Sequence, residues 1–172
     1  MFSTSSRAQS VRSTRHALAL VCAACVAMLA FGFYLQHVVG LEPCPMCIVQ
    51  RYVLVLVAVA AGTTALFSGL GAQLTGAALV LLLSACGAFV AARQSVLQWF
   101  PAEVASCGRD FYGMIENFPL QRAIPMIFKG SGDCSKVDWT FLGGSIANWS
   151  FVSFAAIALL AGVLAVRTAR HI

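Results

Sequence analysis

Charged residues are scarce in this 172-residue chain, and long stretches of it contain none. Only 10% of the residues are charged, whereas 60% are hydrophobic. A soluble domain of this size cannot bury so much apolar surface, so the composition indicates an integral membrane protein. The net charge is +5, but the basic residues lie in the two tails and singly in the loops. They form no face of the kind that binds nucleic acid, and no nucleic-acid partner is expected.

Several features of cofactor-binding and metal-binding proteins are also missing. The chain lacks the glycine-rich fold that a soluble nicotinamide cofactor requires. None of its three histidines, at positions 16, 37 and 171, is placed like a metal ligand. Ile48 follows Cys47 at the position where a haem-attachment motif has histidine. We therefore predict neither a haem nor a metal site.

Three uncharged runs are long enough to cross a bilayer as helices, and the middle one is about long enough to cross it twice. The spans are predicted at about 17–36, 47–70, 74–92 and 145–166. The middle two come from one uncharged run, Tyr52–Ala92, which the turn residues of Phe67–Gln73 divide. The first apolar stretch is too long for a cleaved signal peptide and is expected to be retained. The sequence thus predicts a single membrane domain over residues 1–172, an all-α antiparallel four-helix bundle.

The charge pattern sets the expected orientation. Arg7, Arg12 and Arg15 precede the first span without any acidic residue, and such a flank is usually cytoplasmic. The total counts of Lys and Arg on the two sides are nearly equal, so this first flank decides the orientation. All six acidic residues fall in the two loops on the other side. We expect both tails inside and the loops at about 37–46 and 93–144 outside.

The seven cysteines divide into two groups. Three of them, Cys22, Cys25 and Cys86, lie within predicted spans, where cysteine behaves as a small apolar residue and a thiolate is costly. The other four lie in the outer loops, at Cys44, Cys47, Cys107 and Cys134. Two thiol pairs on one side of a membrane suggest that electrons pass between them.

The first pair stands where the second helix should start. Pro43 and Pro45 keep the approach out of helix, so we expect the helix to begin near Cys47. The unpaired N–H groups of a helix N-terminus favour an anion, and Arg51 places a cation one turn away on the same face. Both favour the thiolate, which is the reactive form of Cys47. Arg51 has an alternative interpretation as an anchor whose charge reaches the membrane surface.

The second pair, Cys107 and Cys134, lies in the long outer loop. A structural disulfide between them is one interpretation, because such bonds are common in oxidising compartments. A zinc site formed by all four loop cysteines is another, although the second pair lacks the short CxxC spacing. The residue pattern leaves the structural disulfide open beside a redox role, whereas the missing second CxxC disfavours the zinc site.

These motifs together resemble the disulfide bond formation protein B (DsbB) family, bacterial inner-membrane oxidases that regenerate the periplasmic thioredoxin-like oxidant DsbA. The resemblance covers nearly the whole chain. Beyond the four spans, its motifs are Cys44-Pro-Met-Cys47 followed by Arg51, Leu97-Gln98 and Pro101 ahead of Cys107, Gly132-Asp133-Cys134, and Trp139 with Phe141-Leu142-Gly143.

The resemblance implies a role for each loop cysteine. Cys107 and Cys134 would form the disulfide that the reduced DsbA-like partner attacks. The released Cys134 would attack Cys44, which leaves Cys47 as the thiolate that faces a membrane quinone, ubiquinone or menaquinone. Arg51 would orient and polarise that quinone. The implied activity is that of a protein-dithiol:quinone oxidoreductase in the inner membrane, with cytoplasmic tails and periplasmic cysteine loops.

One position departs from the family pattern. In well-studied relatives a histidine lies near the quinone at the exit of the third helix, and the matching residue here is Gln94. The resemblance therefore provides no partner for the second quinone oxygen. Gln94 is not among the predicted site residues.

Two alternative functions fit parts of the pattern. One is a quinone and thiol enzyme similar to vitamin K epoxide reductase, although its CxxC lies near the end of the active region and not at the start of the second span. The other is a non-catalytic membrane scaffold with disulfide-bonded loops. In a scaffold, the redox state of the cysteines would not respond to the supply of quinone.

Overall fold

Four long helices make up most of the computed structural model, which describes residues 3–100, 137 and 139–170, with side chains from residue 9 onward. The helices are α1 (Ser3–His37), α2 (Pro45–Leu66), α3 (Leu70–Trp99) and α4 (Ile146–Ala169). Two short strands, β1 (Thr140–Phe141) and β2 (Gly144–Ser145), precede α4. Cys107 and Cys134, with most of the predicted outer loop, lie outside the described residues.

All four helices are long and apolar enough to cross a membrane. The prediction of a helical membrane bundle with four spans is therefore confirmed. Within the described part of the chain, β structure is limited to the antiparallel pairing of β1 with β2. Neighbouring helices in the chain are neighbours in space, with α3 lying between α2 and α4.

The turn between α2 and α3 is tighter than the predicted break over Phe67–Gln73. Helix α2 ends at Leu66 and α3 already begins at Leu70. The fully buried Gln73 explains this, because its Nε2 donates to the main-chain oxygens of Thr64 at 3.1 Å and Phe67 at 2.5 Å. A side chain in the first turn of α3 thus donates to carbonyls at the end of α2, where the N–H of Phe67 also donates to the oxygen of Thr64 at 3.1 Å.

Helix α3 also continues about two turns beyond its predicted end at residue 92. Arg93 interrupts the uncharged run, but a charged side chain near a helix end can reach the membrane surface without breaking the helix. The helix stops only at Phe100, the residue before Pro101, where proline disfavours helical backbone. The extra turns place Gln94 and Gln98 on a rigid helix instead of in the loop.

Small residues let the helices approach closely. A Cβ on Gly87 of α3 would lie 2.5 Å from Cε1 of Phe154 on α4, and one on Gly76 would lie 2.0 Å from Oγ1 of Thr64 on α2. The bundle core is formed by apolar residues of all four helices, among them Leu18, Cys25, Val57, Ala61, Val80 and Ala161.

The cysteines inside the spans lie where packing residues are expected. Cys25 is fully buried in the core. Cys22 packs against α2, since a Cβ on Gly62 would lie 3.1 Å from its Sγ. Cys86 is exposed on the surface of α3. Their positions agree with their interpretation as small apolar residues.

Candidate functional site

A cavity of about 730 Å³ opens at the end of the bundle where α1 stops and α2 begins. All four helices and the β1–β2 hairpin line it. Its wall includes the predicted site residues Cys44, Cys47 and Arg51, together with Gln50 and Gln94. The volume falls in the range of roughly 300–1,000 Å³ that small-molecule sites occupy.

Cys44 and Cys47 lie at the start of α2. Cys44 is the N-cap residue, and Pro45 after it has the fixed φ that suits the first helical position. The backbone N–H of Cys47 donates to Sγ of Cys44 at 3.4 Å, and the two sulfurs are 3.0 Å apart. A disulfide bond of about 2.05 Å needs only a small movement from this arrangement. Cys47 thus lies within the first turn of α2, a little later in the helix than predicted.

Gln94 of α3 reaches across to the cysteines. Its Nε2 lies 3.3 Å from Sγ of Cys44 and 3.2 Å from Sγ of Cys47. Its Oε1 accepts a hydrogen bond of 2.7 Å from Nε2 of Gln50, one residue before Arg51. Both glutamines are almost fully buried, with 3% of Gln94 and 4% of Gln50 exposed. Two helices therefore hold an amide donor against both sulfurs.

Arg51 lies on the same cavity wall, but its side chain is fixed by α1. One terminal nitrogen donates to Oε1 of Gln36, and the other donates to the main-chain oxygen of Gly32 at 3.0 Å. The guanidinium carbon also lies 5.3 Å from the ring centre of Phe33. Both hydrogen-bond acceptors are neutral, so Arg51 brings a positive charge to the half-buried wall of the cavity.

Aromatic rings cover another side of the cavity. Trp139 stacks on Phe141 with ring centres 6.0 Å apart, and Phe31 of α1 meets Trp139 edge to face at 5.9 Å. Nε1 of Trp149 donates to the main-chain oxygen of Phe141 at 2.9 Å, which ties the hairpin to α4. These flat apolar surfaces suit a planar ring more than a flexible polar ligand.

The hairpin that presents these rings depends on its turn. Leu142 and Gly143 both have positive φ, at 51° and 80°, as a two-residue type I′ turn requires. Gly144 leaves room for the indole, because a Cβ there would lie 2.9 Å from Nε1 of Trp149. The local sequence therefore determines where the aromatic cover sits.

Ser145 joins the hairpin, α4 and α3. Its Oγ accepts from the backbone N–H of Asn148 at 3.3 Å and so caps α4. The same hydroxyl donates to Oε1 of Gln98 at 2.6 Å. This bond positions Gln98, which also lines the cavity, one turn beyond Gln94 on α3.

The sequence prediction missed most of the glutamines. Gln36 and Gln50 are absent from the sequence prediction. Gln98 enters it only as part of the Leu97-Gln98 motif, without a role, and Gln94 only by its departure from the family pattern. A usable signal was present, because polar side chains at the ends of membrane spans need internal partners. Gln94 and Gln98 are also four residues apart, which places them on one helix face.

The fold and the cavity define a multi-pass membrane protein with a CxxC thiol pair at one end of its helical bundle. The family model described as disulfide bond formation protein DsbB matches residues 14–164. The chain belongs to this family, which confirms the resemblance found in the sequence and a role in disulfide bond formation.

Individual relatives agree over nearly the full length. The chain is 74% identical over 157 residues to disulfide bond formation protein B of Polaromonas naphthalenivorans (strain CJ2), an alignment that covers 91% of this chain and 94% of the relative. It is 69% identical over 156 residues to the protein of the same name from Paracidovorax citrulli (strain AAC00-1), an alignment that covers 91% of this chain and 89% of the relative. The identity to that of Aromatoleum aromaticum (strain DSM 19018 / LMG 30748 / EbN1) is 51% over 160 residues, covering 90% and 94%.

Proposed function

We propose that this protein is a thiol:quinone oxidoreductase that reoxidises a periplasmic thioredoxin-like oxidant of the DsbA type. The electrons go to ubiquinone or menaquinone in the membrane, and the reaction supports periplasmic protein folding. The observation that carries the proposal is the pair of sulfurs 3.0 Å apart in the wall of an aromatic cavity that also contains Arg51. Membership of the disulfide bond formation family supports the same reaction class.

The overall reaction balances as a two-electron exchange. The reduced partner loses two electrons and two protons as its two thiols become a disulfide. A bound quinone supplies the acceptor for those two electrons and two protons and leaves as quinol. Thiol–disulfide exchange within this chain moves the electrons without changing their number.

Each loop cysteine has one step in the proposed sequence. The partner's thiolate attacks Cys107, breaks the Cys107–Cys134 disulfide and releases Cys134 as a thiolate. The partner's second thiolate then attacks the partner's own sulfur in this mixed disulfide, which forms the partner's disulfide and releases Cys107 as a thiolate. Cys134 attacks Cys44 of the Cys44–Cys47 disulfide, and Cys47 leaves as a thiolate. Cys107 then attacks Cys134, which re-forms the Cys107–Cys134 disulfide and releases Cys44 as a thiolate beside Cys47. The reduced Cys44–Cys47 pair would re-form its own disulfide by giving two electrons and two protons to the quinone.

The surroundings of Cys47 support its role as the leaving thiolate. It lies in the first turn of α2, where the helix N-terminus favours negative charge. Nε2 of Gln94 is 3.2 Å from its sulfur and can donate to a thiolate. A better-stabilised thiolate leaves faster during exchange.

The residues around the cavity fit a quinone. The rings of Phe31, Trp139 and Phe141 offer flat apolar surface to a planar head group. The fixed cation of Arg51 can stabilise negative charge that develops on one ring oxygen. Gln98 lines the same cavity and, within the described residues, its Nε2 has no protein acceptor, which makes it a candidate donor to the other oxygen.

We further propose that the protein lies in the bacterial inner membrane with both tails in the cytoplasm. The arginine-rich end of α1 is at the opposite end of the bundle from the cysteines, where Nε of Arg15 donates to the main-chain oxygen of Ala65 at 2.8 Å. A positive flank before the first span favours the cytoplasmic side. The cysteine end then faces the periplasm, where the partner is located.

The decisive experiment mixes the purified protein without oxygen with a reduced DsbA-type partner and ubiquinone or menaquinone. Quinone absorbance should fall as partner disulfide accumulates in equal amount, and Cys47→Ser should prevent the loss. A non-catalytic scaffold would leave the absorbance unchanged, with its loop cysteines in the same redox state whatever the quinone supply.

A further inference from the structure

Two buried glutamines form a directional chain that ends at the Cys44–Cys47 pair. Nε2 of Gln50 donates to Oε1 of Gln94 at 2.7 Å. With its oxygen held in this way, the amide group of Gln94 turns its nitrogen toward the sulfurs, at 3.3 and 3.2 Å. An amide nitrogen has two hydrogens, enough for one bond to each sulfur.

Such a donor interacts differently with the two redox states of the cysteines. Reduction breaks the S–S bond and adds two electrons with up to two protons, so negative charge can develop on sulfur only in the reduced state. Hydrogen bonds to an ionised acceptor are about twice as strong as those to a neutral one. A donor fixed beside both sulfurs therefore stabilises the dithiol state more than the disulfide.

We propose that Gln94 raises the reduction potential of the Cys44–Cys47 pair by donating to both sulfurs, and that Gln50 is the positioning residue that holds it. Stabilising the reduced form makes a dithiol pair a stronger oxidant. The inference rests on the proposed function, in which this pair has to accept electrons from thiols that belong to a strongly oxidising partner. It adds a role for two residues that carry no charge and take no part in the exchange itself.

The chemical nature of glutamine makes the donor itself independent of pH. An imidazole at position 94 would donate from both nitrogens only when protonated, near and below a pKa of about 6.5. An amide donates at every pH. The contribution of Gln94 to the potential therefore follows the ionisation of the thiols alone and is expected to be larger at pH 8 than at pH 6, because the thiolate fraction rises with pH.

The test is a redox titration of the full-length protein in detergent, with glutathione buffers and without quinone or partner. Alkylation followed by mass spectrometry of the peptide that contains Cys44 and Cys47 gives the reduced fraction of this pair alone. We compare two variants. Gln94→Met keeps the side-chain length but removes the donor, whereas Gln50→Met keeps the amide of Gln94 but removes the hydrogen bond that fixes its orientation. Gln73→Met is the matched control, because Gln73 is a buried, hydrogen-bonded glutamine in the turn between α2 and α3.

In Gln94→Met, the equilibrium constant for reduction should fall about tenfold, which corresponds to a potential about 30 mV more negative. A smaller fall in the same direction is expected for Gln50→Met, and none for Gln73→Met. An equilibrium constant within about twofold of the wild type in folded Gln94→Met would overturn the proposal. If Gln94→Met does not fold, an unchanged constant in Gln50→Met overturns it instead.

The titration separates this inference from the proposed function. It contains no quinone and no partner, so a shift in Gln94→Met can be observed even if the protein fails to reduce quinone. Conversely, the wild type could reduce quinone normally while Gln94→Met has the same equilibrium constant for reduction of the Cys44–Cys47 pair. That result would disprove only the role of the glutamines.

Discussion

Arg51 of α2 donates a hydrogen bond to the main-chain oxygen of Gly32 on α1, 3.0 Å away. The guanidinium lies directly against the backbone of α1, since a Cβ on Gly32 would be in van der Waals contact with Nε of Arg51 at 3.6 Å. The arginine thus bonds to protein at the cavity wall, where a purely anchoring residue would extend to the membrane surface. Its acceptor is a neutral carbonyl, which leaves the positive charge to act on the cavity.

This arrangement predicts a defect in quinone use when Arg51 is changed. Arg51→Lys keeps the charge but loses the forked donor group, so the Michaelis constant for quinone should rise roughly tenfold. Arg51→Ala and Arg51→His should show a much larger loss of turnover, with nearly unchanged protein amounts. Steady-state rates against quinone concentration, normalised to folded protein, measure both.

Arg15 provides the matched control. It also joins α1 and α2 through a main-chain carbonyl, in this case by donating from α1 to Ala65 of α2 at the other end of the bundle. Arg15→Ala should leave quinone kinetics unchanged. Normal kinetics in Arg51→Ala, combined with reduced protein amounts, would instead identify Arg51 as an anchor.

The proposed order of exchange predicts different defects for different cysteines. Cys47→Ser should abolish quinone reduction, while the Cys107–Cys134 pair still exchanges with the partner. Cys107→Ser should block partner oxidation at its first step. Trapped mixed disulfides, identified by mass spectrometry, distinguish these cases. A partner linked to Cys44 without involvement of Cys107 would reverse the proposed order.

The proposed orientation predicts which thiols are accessible from outside. A membrane-impermeant maleimide, applied to intact cells under reducing conditions, should label the four loop cysteines. Those are Cys44, Cys47, Cys107 and Cys134. The three cysteines within the spans, Cys22, Cys25 and Cys86, should stay unlabelled because lipid or protein surrounds them. Labelling of Cys22 with Cys107 spared would contradict the assigned spans.

Close packing between α3 and α4 predicts a large effect of a small change. Gly87→Ala would place a methyl group 2.5 Å from the ring of Phe154, so the helices or the ring must move. We expect a loss of about 1–3 kcal/mol in stability, seen as a lower unfolding temperature in detergent. Gly71→Ala is the control, since no other group lies within 4 Å of its added Cβ. Equal unfolding temperatures for the two variants would show that α3 and α4 adjust without cost.

Helix existence was easier to predict than helix ends. The apolar runs revealed all four spans because backbone groups within lipid must be paired internally, which favours helices. The helix ends depend on tertiary contacts, which the sequence pattern does not show. Gln73 closes the end of α2 from the next helix, and α3 runs past Arg93 until Pro101 stops it.

The sequence by itself determined the membrane location, the four helices, the CxxC at the start of α2 and the family. All of these follow from local composition and spacing, which do not depend on how the helices pack. Only the tertiary structure decided that Gln94 meets both sulfurs and that Arg51 is held by Gly32 and Gln36. These contacts join different helices, and the rotation of each helix about its axis depends on packing around residues such as Gly76 and Gly87. If a helix were rotated by half a turn about its axis, its side chains that line the cavity would face lipid instead.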